Sequence, residues 1–336
     1  MSTPVLHQTD LFRPHMDPDD HWDLACQYAL AVRGWIDLRG VLIDYPPDQS
    51  RNPDVLAVAQ MNDITGLFVP TAVGSSIPVI DRRDTQKEVQ PRDRNGGHFI
   101  LSTLRSAHEP VTIHIVGSCR DIALAANADP DLFANKCKAI YLNAGSGDPS
   151  PDDVTEVEYN VKLNRHAYAA LFDVPCPLYW MPCRQEPYDG SVHEWATYWR
   201  FRQGDVLSVV SPRVQRYFAS VLGQIPGHAW LSSINGNALD GLVGTFGSDD
   251  RTMWCTAGFL HAAGRGVDRD GAIVPIGEQG EGGVFSFEPI SVTCSDNGET
   301  EWHPDSSSNQ RYIFHVTDVE RYQGAMRGAL ASLLSV

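Results

Sequence analysis

The sequence predicts an α/β protein: a mainly parallel open sheet with helices on both faces and a functional site at the carboxyl ends of the strands. Three observations carry that expectation. Apolar strand-like runs alternate with helical patterns through the first half of the chain. The opening run, Pro4-Val5-Leu6, feeds a loop that holds five acids in the fourteen residues from Asp10 to Asp23. An amphipathic helix then follows over 20–33, with Trp22, Leu24, Ala25, Tyr28, Ala29 and Val32 at helical spacing. Carboxylates crowded at one strand end repel one another unless a cation sits among them, and a hard divalent ion with oxygen ligands suits that place.

The remaining elements follow in order. Residues 40–44 read as a second strand, 52–60 as a helix and 66–69 as a third strand. The polar stretch 81–97 is too long for an ordinary connection and has the character of a lid or binding loop. A helix over 98–107 leads to a buried strand at 111–116, a helix at 121–126 and a strand at 138–142. A helix over 165–172 and a strand over 176–181 close the regular half. Beyond it, helices are expected at 193–202, 212–222, 252–263 and 318–334, and strands at 284–287 and 311–316. Turn signals stand at Asp270-Gly271 and Asn297-Gly298, and Asp318 suits an N-cap.

Composition narrows the function classes. A 336-residue chain with 42% hydrophobic residues can bury a sizeable core. A net charge of -16, with Lys and Arg nowhere clustered, argues against a nucleic-acid surface and favours small ligands. No apolar stretch approaches membrane-spanning length, and Met1-Ser2-Thr3-Pro4 lacks the basic start of a signal peptide. Seven widely spaced cysteines, mostly inside apolar runs, read as buried free thiols, so a cytoplasmic, reducing location is expected.

Asp clusters are most often surface turns and N-caps, and a calcium helix-loop-helix fails here because Tyr28 stands at the twelfth position of the loop begun at Asp17. Asp10 with Asp19-Asp20, ending a strand and starting a helix, favours metal or ligand binding instead. Two further blocks extend the pattern. One is the run 108–125, with Val111-Thr112-Ile113-His114-Ile115-Val116-Gly117 passing into Ile122-Ala123-Leu124-Ala125. The other is 140–147, followed by Glu158-Tyr159-Asn160 and Asn164-Arg165-His166-Ala167. Together these resemble the nucleoside hydrolase superfamily, the inosine–uridine preferring enzymes and their relatives, as a divergent member. The match is good over about 1–185 and loose over 186–336, which is read as completing one domain of 1–336.

The resemblance implies a calcium-dependent hydrolase of the N-glycosidic bond of a nucleoside or related glycoside. Asp10 and Asp20 would be carboxylate ligands and the Val116 carbonyl a main-chain ligand. Asp19 would bind ribose hydroxyls, with Glu158 and Asn160 holding the sugar from the other side. Metal-bound water would attack, with Asp10 taking its proton. Family analogy also implies a homo-oligomer. The chemistry is coherent, because glycosidic cleavage builds positive charge on the sugar and carboxylates stabilise it.

The match departs from the family at its late His-Asp pair, expected at a helix start. Within 251–263 that alignment finds His261 followed by Ala262, leaving Asp249 or Asp250 as substitutes, although both equally suit N-caps. His98 either reaches the site from the long loop or begins a helix, and His15 and His21, flanking the acidic loop, read as exposed loop histidines first and as an extra ligand or general acid second. Asp17 and Asp23 read as loop and helix-surface acids. Trp180, Trp195, Trp199, Trp230 and Trp254 are core residues first and stacking platforms second, and Asn235 and Asn237 are turn residues first. Two other readings stand beside the first: a non-catalytic or altered-specificity binding protein that keeps the fold, and a metal-dependent hydrolase of another ester or glycoside.

Overall fold

The computed structural model describes residues 2–11, 18–45, 54–226, 229–237, 240–279 and 282–336. Its strands are β1 (Thr3–Thr9), β2 (Ile36–Ile43), β3 (Thr71–Val73), β4 (Val111–Val116), β5 (Cys137–Asn143), β6 (Leu178–Met181), β7 (Trp199–Arg202), β8 (Asp250–Met253), β9 (Arg265–Val267), β10 (Ile273–Pro275), β11 (Phe285–Cys294), β12 (Thr300–Pro304) and β13 (Arg311–Val316). Nine of them form one sheet in the order β12-β11-β13-β6-β5-β4-β1-β2-β3. From β3 to β13 every pairing is parallel, and β11 and β12 close the far edge antiparallel. β7 with β8 and β9 with β10 make two small antiparallel ribbons.

Successive strand residues face opposite sides of a sheet, and the core divides accordingly. Val5, Val41, Ile43, Ala139 and Tyr141 pack into one layer. Leu6, Leu42, Ile140 and Leu142 pack into the other. The first layer is covered by the helices Pro18–Val32, Val55–Thr65, Pro212–Leu222, Thr256–Ala262 and Val319–Leu334. The second is covered by Asn95–Ser106, Arg120–Ala128, Pro130–Lys136 and Arg165–Leu171. This is the expected mainly parallel sheet with helices on both faces, and all seven cysteines are buried and free.

The chain runs outward from β1 to β2 and β3, then returns to lay β4, β5, β6 and β13 on β1's other side. The carboxyl ends of β1 and β4 therefore flank the point where winding reverses, the place where open α/β sheets form a ligand crevice.

Four sequence expectations are corrected. Residues 66–69 are not a strand: Gly66 caps the preceding helix in the left-handed region, and the Asn62 side chain takes both the N–H and the C=O of Val69. The third strand begins at Thr71 instead. Residues 193–202 are not a helix; Trp199 and Phe201 are buried, Arg200 and Arg202 exposed, and this period of two forms β7 against β8. The helix expected over 252–263 divides into β8 and the helix Thr256–Ala262. The polar stretch 81–97 is no lid over the crevice, since Asn127 Nδ2 ties the carbonyls of Arg82 and Asp84 to the helix Arg120–Ala128.

One buried feature of β1 has a measurable consequence. His7 is fully buried, neither ring nitrogen has a hydrogen-bond partner, and burial pushes its pKa down to about 3. Its neighbour across the ladder, His114, is also buried and held well below the ordinary 6.5. The unfolded chain binds protons at these rings below 6.5 while the folded chain resists them, so stability falls as pH drops from 6.5 towards 3. Each fully linked ring contributes about 1.4 kcal/mol per pH unit in that window. Denaturant titrations at several pH values should show a shallower acid loss for His7→Leu than for the native chain; equal slopes would assign the acid sensitivity elsewhere.

Candidate active site

A cavity of about 410 Å³ opens at the reversal point, lined by residues at or beyond the carboxyl ends of β1, β4, β5 and β6 and by two that follow β8. Asp19 and Asp20 come from the helix start after β1, and Val116 ends β4. Asn143 ends β5, while Cys183 and Arg184 follow β6. Glu158, Asn160 and Lys162 come from the short helix Tyr159–Leu163 and its cap, and Trp254 and Cys255 from the start of the helix Thr256–Ala262.

The acidic wall is tightly organised. Asp20, 4% exposed, accepts hydrogen bonds at Oδ2 from Thr9 Oγ1 at 2.7 Å and from the Asp10 backbone N–H at 2.8 Å. Its carboxyl also hydrogen-bonds that of Asp10, itself 1% exposed. Burial pushes Asp20 up to about 6, and the charge of Asp19 adds to the rise. Two buried carboxyls in contact do not both ionise without compensation. Asp19 is half-buried on the cavity side.

Asp44, just after β2, was not singled out by the sequence. It is fully buried and accepts hydrogen bonds from the Ser118 N–H at 2.7 Å and from Ser118 Oγ at 2.8 Å. That clamps the turn after Val116. Gly117 is required within it: an added Cβ would lie 2.7 Å from Gln8 Nε2, 2.9 Å from Asp44 Oδ2 and 3.4 Å from Asp10 Cγ.

On the opposite wall, Glu158 caps the helix Tyr159–Leu163. Its carboxylate accepts from the N–H groups of Gly145 at 2.8 Å, Asn160 at 2.9 Å and Val161 at 3.3 Å. Burial raises its pKa, opposed by these three bonds and by the nearby Arg184 charge. The Asn160 side chain donates to the Asn143 carbonyl at 3.1 Å.

The cavity thus brings together Asp19, Asp20, Val116, Glu158 and Asn160, with Asp10 immediately behind Asp20. Other expected residues stand elsewhere. His98 is exposed on the helix Asn95–Ser106 and lines a separate depression with Leu101 and Leu124. Asp250 is exposed in the β7–β8 ribbon, where the chain extends and no helix start exists for it to cap. His261 sits in the last turn of its helix, its Nδ1 2.7 Å from the Tyr141 hydroxyl, and burial lowers it to about 4. The residues at the helix start facing the cavity are Trp254 and Cys255.

Asp23 is no surface acid: it is 1% exposed, hydrogen-bonds Cys255, and is raised well above the usual range, chiefly by burial. His21 is buried rather than exposed, its Nδ1 2.9 Å from the Tyr217 hydroxyl. His15 and Asp17 lie outside the described residues. Trp180 and Trp199 are core residues and Trp195 stacks on His315. Asn235 and Asn237 accept hydrogen bonds from Arg213 and Arg216, away from the cavity lining.

For a hard divalent cation, the donors here are right in kind: the carboxyls of Asp10 and Asp20 and the main chain of Val116. Their number is short of the six to eight oxygens calcium takes, and among the described residues no three His, Cys, Asp or Glu side chains stand at metal-holding spacing. Substrate hydroxyls and water would have to complete such a shell.

The fold is that of the nucleoside hydrolases. A plant nucleoside hydrolase, the PpNRh1 enzyme, superposes with a TM-score of 0.58 at 13% identity, covering 99% of this chain and 100% of that one. The purine-preferring ribonucleoside hydrolase from Gardnerella vaginalis superposes at 0.51 and 12% identity, with 99% of each chain covered. The type III effector protein XopQ, solved with adenosine diphosphate ribose, superposes at 0.52 and 16% identity, covering 100% of this chain and 93% of that one. No protein-family model matches the sequence, and no curated protein does. Among the described residues no helix is long and apolar enough to cross a membrane.

Proposed function

We propose that this chain hydrolyses the N-glycosidic bond of a nucleoside or a closely related riboside. The observation that carries the reading is the convergence of Asp19, Asp20, Val116, Glu158 and Asn160 on one cavity, at the switch point of a fold shared with nucleoside hydrolases. The XopQ structure supports a ribosyl ligand on this fold. Asp19 accepts hydrogen bonds from ribose hydroxyls, and Glu158 and Asn160 grip the sugar from the other wall. As the bond to the base breaks, positive charge grows on the sugar ring and the surrounding carboxylates stabilise it. Asp10 accepts the proton of the attacking water. Trp254 and the exposed Tyr188 offer aromatic faces to the leaving base.

A divalent cation, calcium by first choice, held by Asp10, Asp20 and the Val116 carbonyl, would keep both carboxyls ionised and lower the pKa of the attacking water. Purified protein incubated with purine and pyrimidine nucleosides should release free base. Chelator should cut that release by about a hundredfold or more, with calcium restoring it. Release untouched by chelator would remove the cation from the proposal.

A second reading is favoured by Trp254 and Cys255 standing at the helix start where the family resemblance expects a His-Asp pair. It is a riboside-binding protein without turnover. Stoichiometric nucleoside binding with no base release at any divalent ion would select it.

A further inference from the structure

We infer that the favoured ligand carries a phosphate on the 5′ side of its ribose, recognised by Lys162 and Arg184. This rests on the riboside reading above and narrows its substrate class. A neutral nucleoside gives a cation nothing to bind, yet the cavity lining includes an ammonium and a guanidinium alongside its acids, each paired with a glutamate. The acids expected to meet the sugar and the cation are the more enclosed, Asp20 at 4% and Glu158 at 8% exposure. Lys162 lies nearer solvent, its side chain 40% exposed.

Lys162 is four residues beyond Glu158, and its N–H bonds the Glu158 carbonyl at 3.0 Å. Residues so related lie on one face of a helical turn, about 5–6 Å apart at Cβ. One turn of chain therefore presents a sugar-binding carboxylate and, a step outward, a cation. The spacing suits a ribose whose 5′ substituent points towards the mouth.

Lys162 now pairs with Glu156, whose side chain is 65% exposed. Such a pair is screened by solvent and contributes little, so a phosphate dianion can replace Glu156 at small cost. Arg184 is held in place more firmly. Its Nη2 bonds Glu186, which Thr155 Oγ1 fixes at 2.8 Å and the Tyr188 N–H at 3.1 Å. The guanidinium carbon lies 5.2 Å from the centre of the Tyr188 ring; Nε is buried, and Nη1 donates to none of the described residues, leaving it as the free donor. A guanidinium anchored on one side with donors left over is prepared for a phosphate oxygen.

Titration calorimetry on the full chain, with adenosine, adenosine 5′-monophosphate and inorganic phosphate, tests this. The monophosphate should bind about tenfold or more tighter than the nucleoside, and inorganic phosphate alone far more weakly. Lys162→Met and the charge reversal Lys162→Glu, at a side chain 40% exposed, should bring the nucleoside-to-monophosphate affinity ratio towards one. Arg184→Lys should reduce it, and added salt should weaken it in the native chain. A monophosphate binding no tighter than the nucleoside, or a preference that survives both Lys162 variants, overturns the inference while leaving the riboside reading standing. Binding of none of these ribosides overturns both. Equal binding of phosphate and monophosphate overturns this inference by showing a bare anion site.

Discussion

Asp10→Asn should reduce kcat/KM for base release by about a thousandfold or more, through loss of both the proton acceptor and a cation-binding carboxylate. The same substitution should leave the melting temperature unchanged or raised. Asp10 is 1% exposed and its carboxyl contacts that of Asp20, which burial has pushed up to about 6. Asn keeps the size of the side chain and a hydrogen-bond donor for Asp20 while removing one buried ionisable group, so activity and stability should move in opposite directions, as they do where a site is kept for function. Rates by chromatographic assay of free base and melting by calorimetry make the comparison. An Asp10→Asn protein that keeps near-native rates would remove Asp10 from the mechanism, and a collapse of melting temperature would make the residue structural.

Gly147→Ala should destabilise the fold by about 3 kcal/mol and disable the cavity in whatever remains folded. An added Cβ would lie 1.8 Å from the carbonyl oxygen of Trp195 and 2.7 Å from its carbon, both backbone atoms. The glycine cannot retreat. Its N–H bonds the Arg184 carbonyl at 2.8 Å, and its own carbonyl accepts from Trp302 Nε1 at 3.2 Å. The same loop supplies the Gly145 N–H that holds Glu158, so a shift there reaches the Glu158 wall of the cavity. Gly324→Ala is the control: it lies within the helix Val319–Leu334 with open space around its added Cβ, and should be neutral or stabilising. Denaturant unfolding of the two variants gives the contrast; similar midpoints would show that the turn at Trp195 moves aside freely.

The sheet was legible because buried parallel strands are near-continuous apolar runs, as β4 and β5 are, while β1 shows only the short run Pro4-Val5-Leu6 before His7-Gln8-Thr9. The acidic loop was legible because Asp10 and Asp19-Asp20 bracket a strand end and a helix start within one short segment. Glu158 and Asn160 were reached only through the family resemblance of their block. Asp44 gave no sign, since a single Asp after a strand looks like any turn residue, and only the neighbouring β4 turn makes it a clamp.

The far wall misled for a similar reason. His261 was placed by its position along an assumed helix of 252–263, but that segment begins as β8, and the helix actually starts after Trp254-Cys255. Arg184 and Lys162 belong to different blocks and carry no shared motif. Asp23 looked like a surface acid because its helical neighbours are polar, yet the helix starting at Thr256 packs over it and buries it beside Cys255.

What the sequence alone determined is therefore local and periodic: the alternation of strand and helix, and the acids that cap one strand. Which wall faces those acids depends on contacts between segments far apart in the chain, set by the order in which β4, β5 and β6 stack beside β1. A pattern along the chain reports what each residue's neighbours in sequence are, while a cavity is made by neighbours in space. The acids were read from the first, and their partners Arg184, Trp254 and Cys255 were decided by the second.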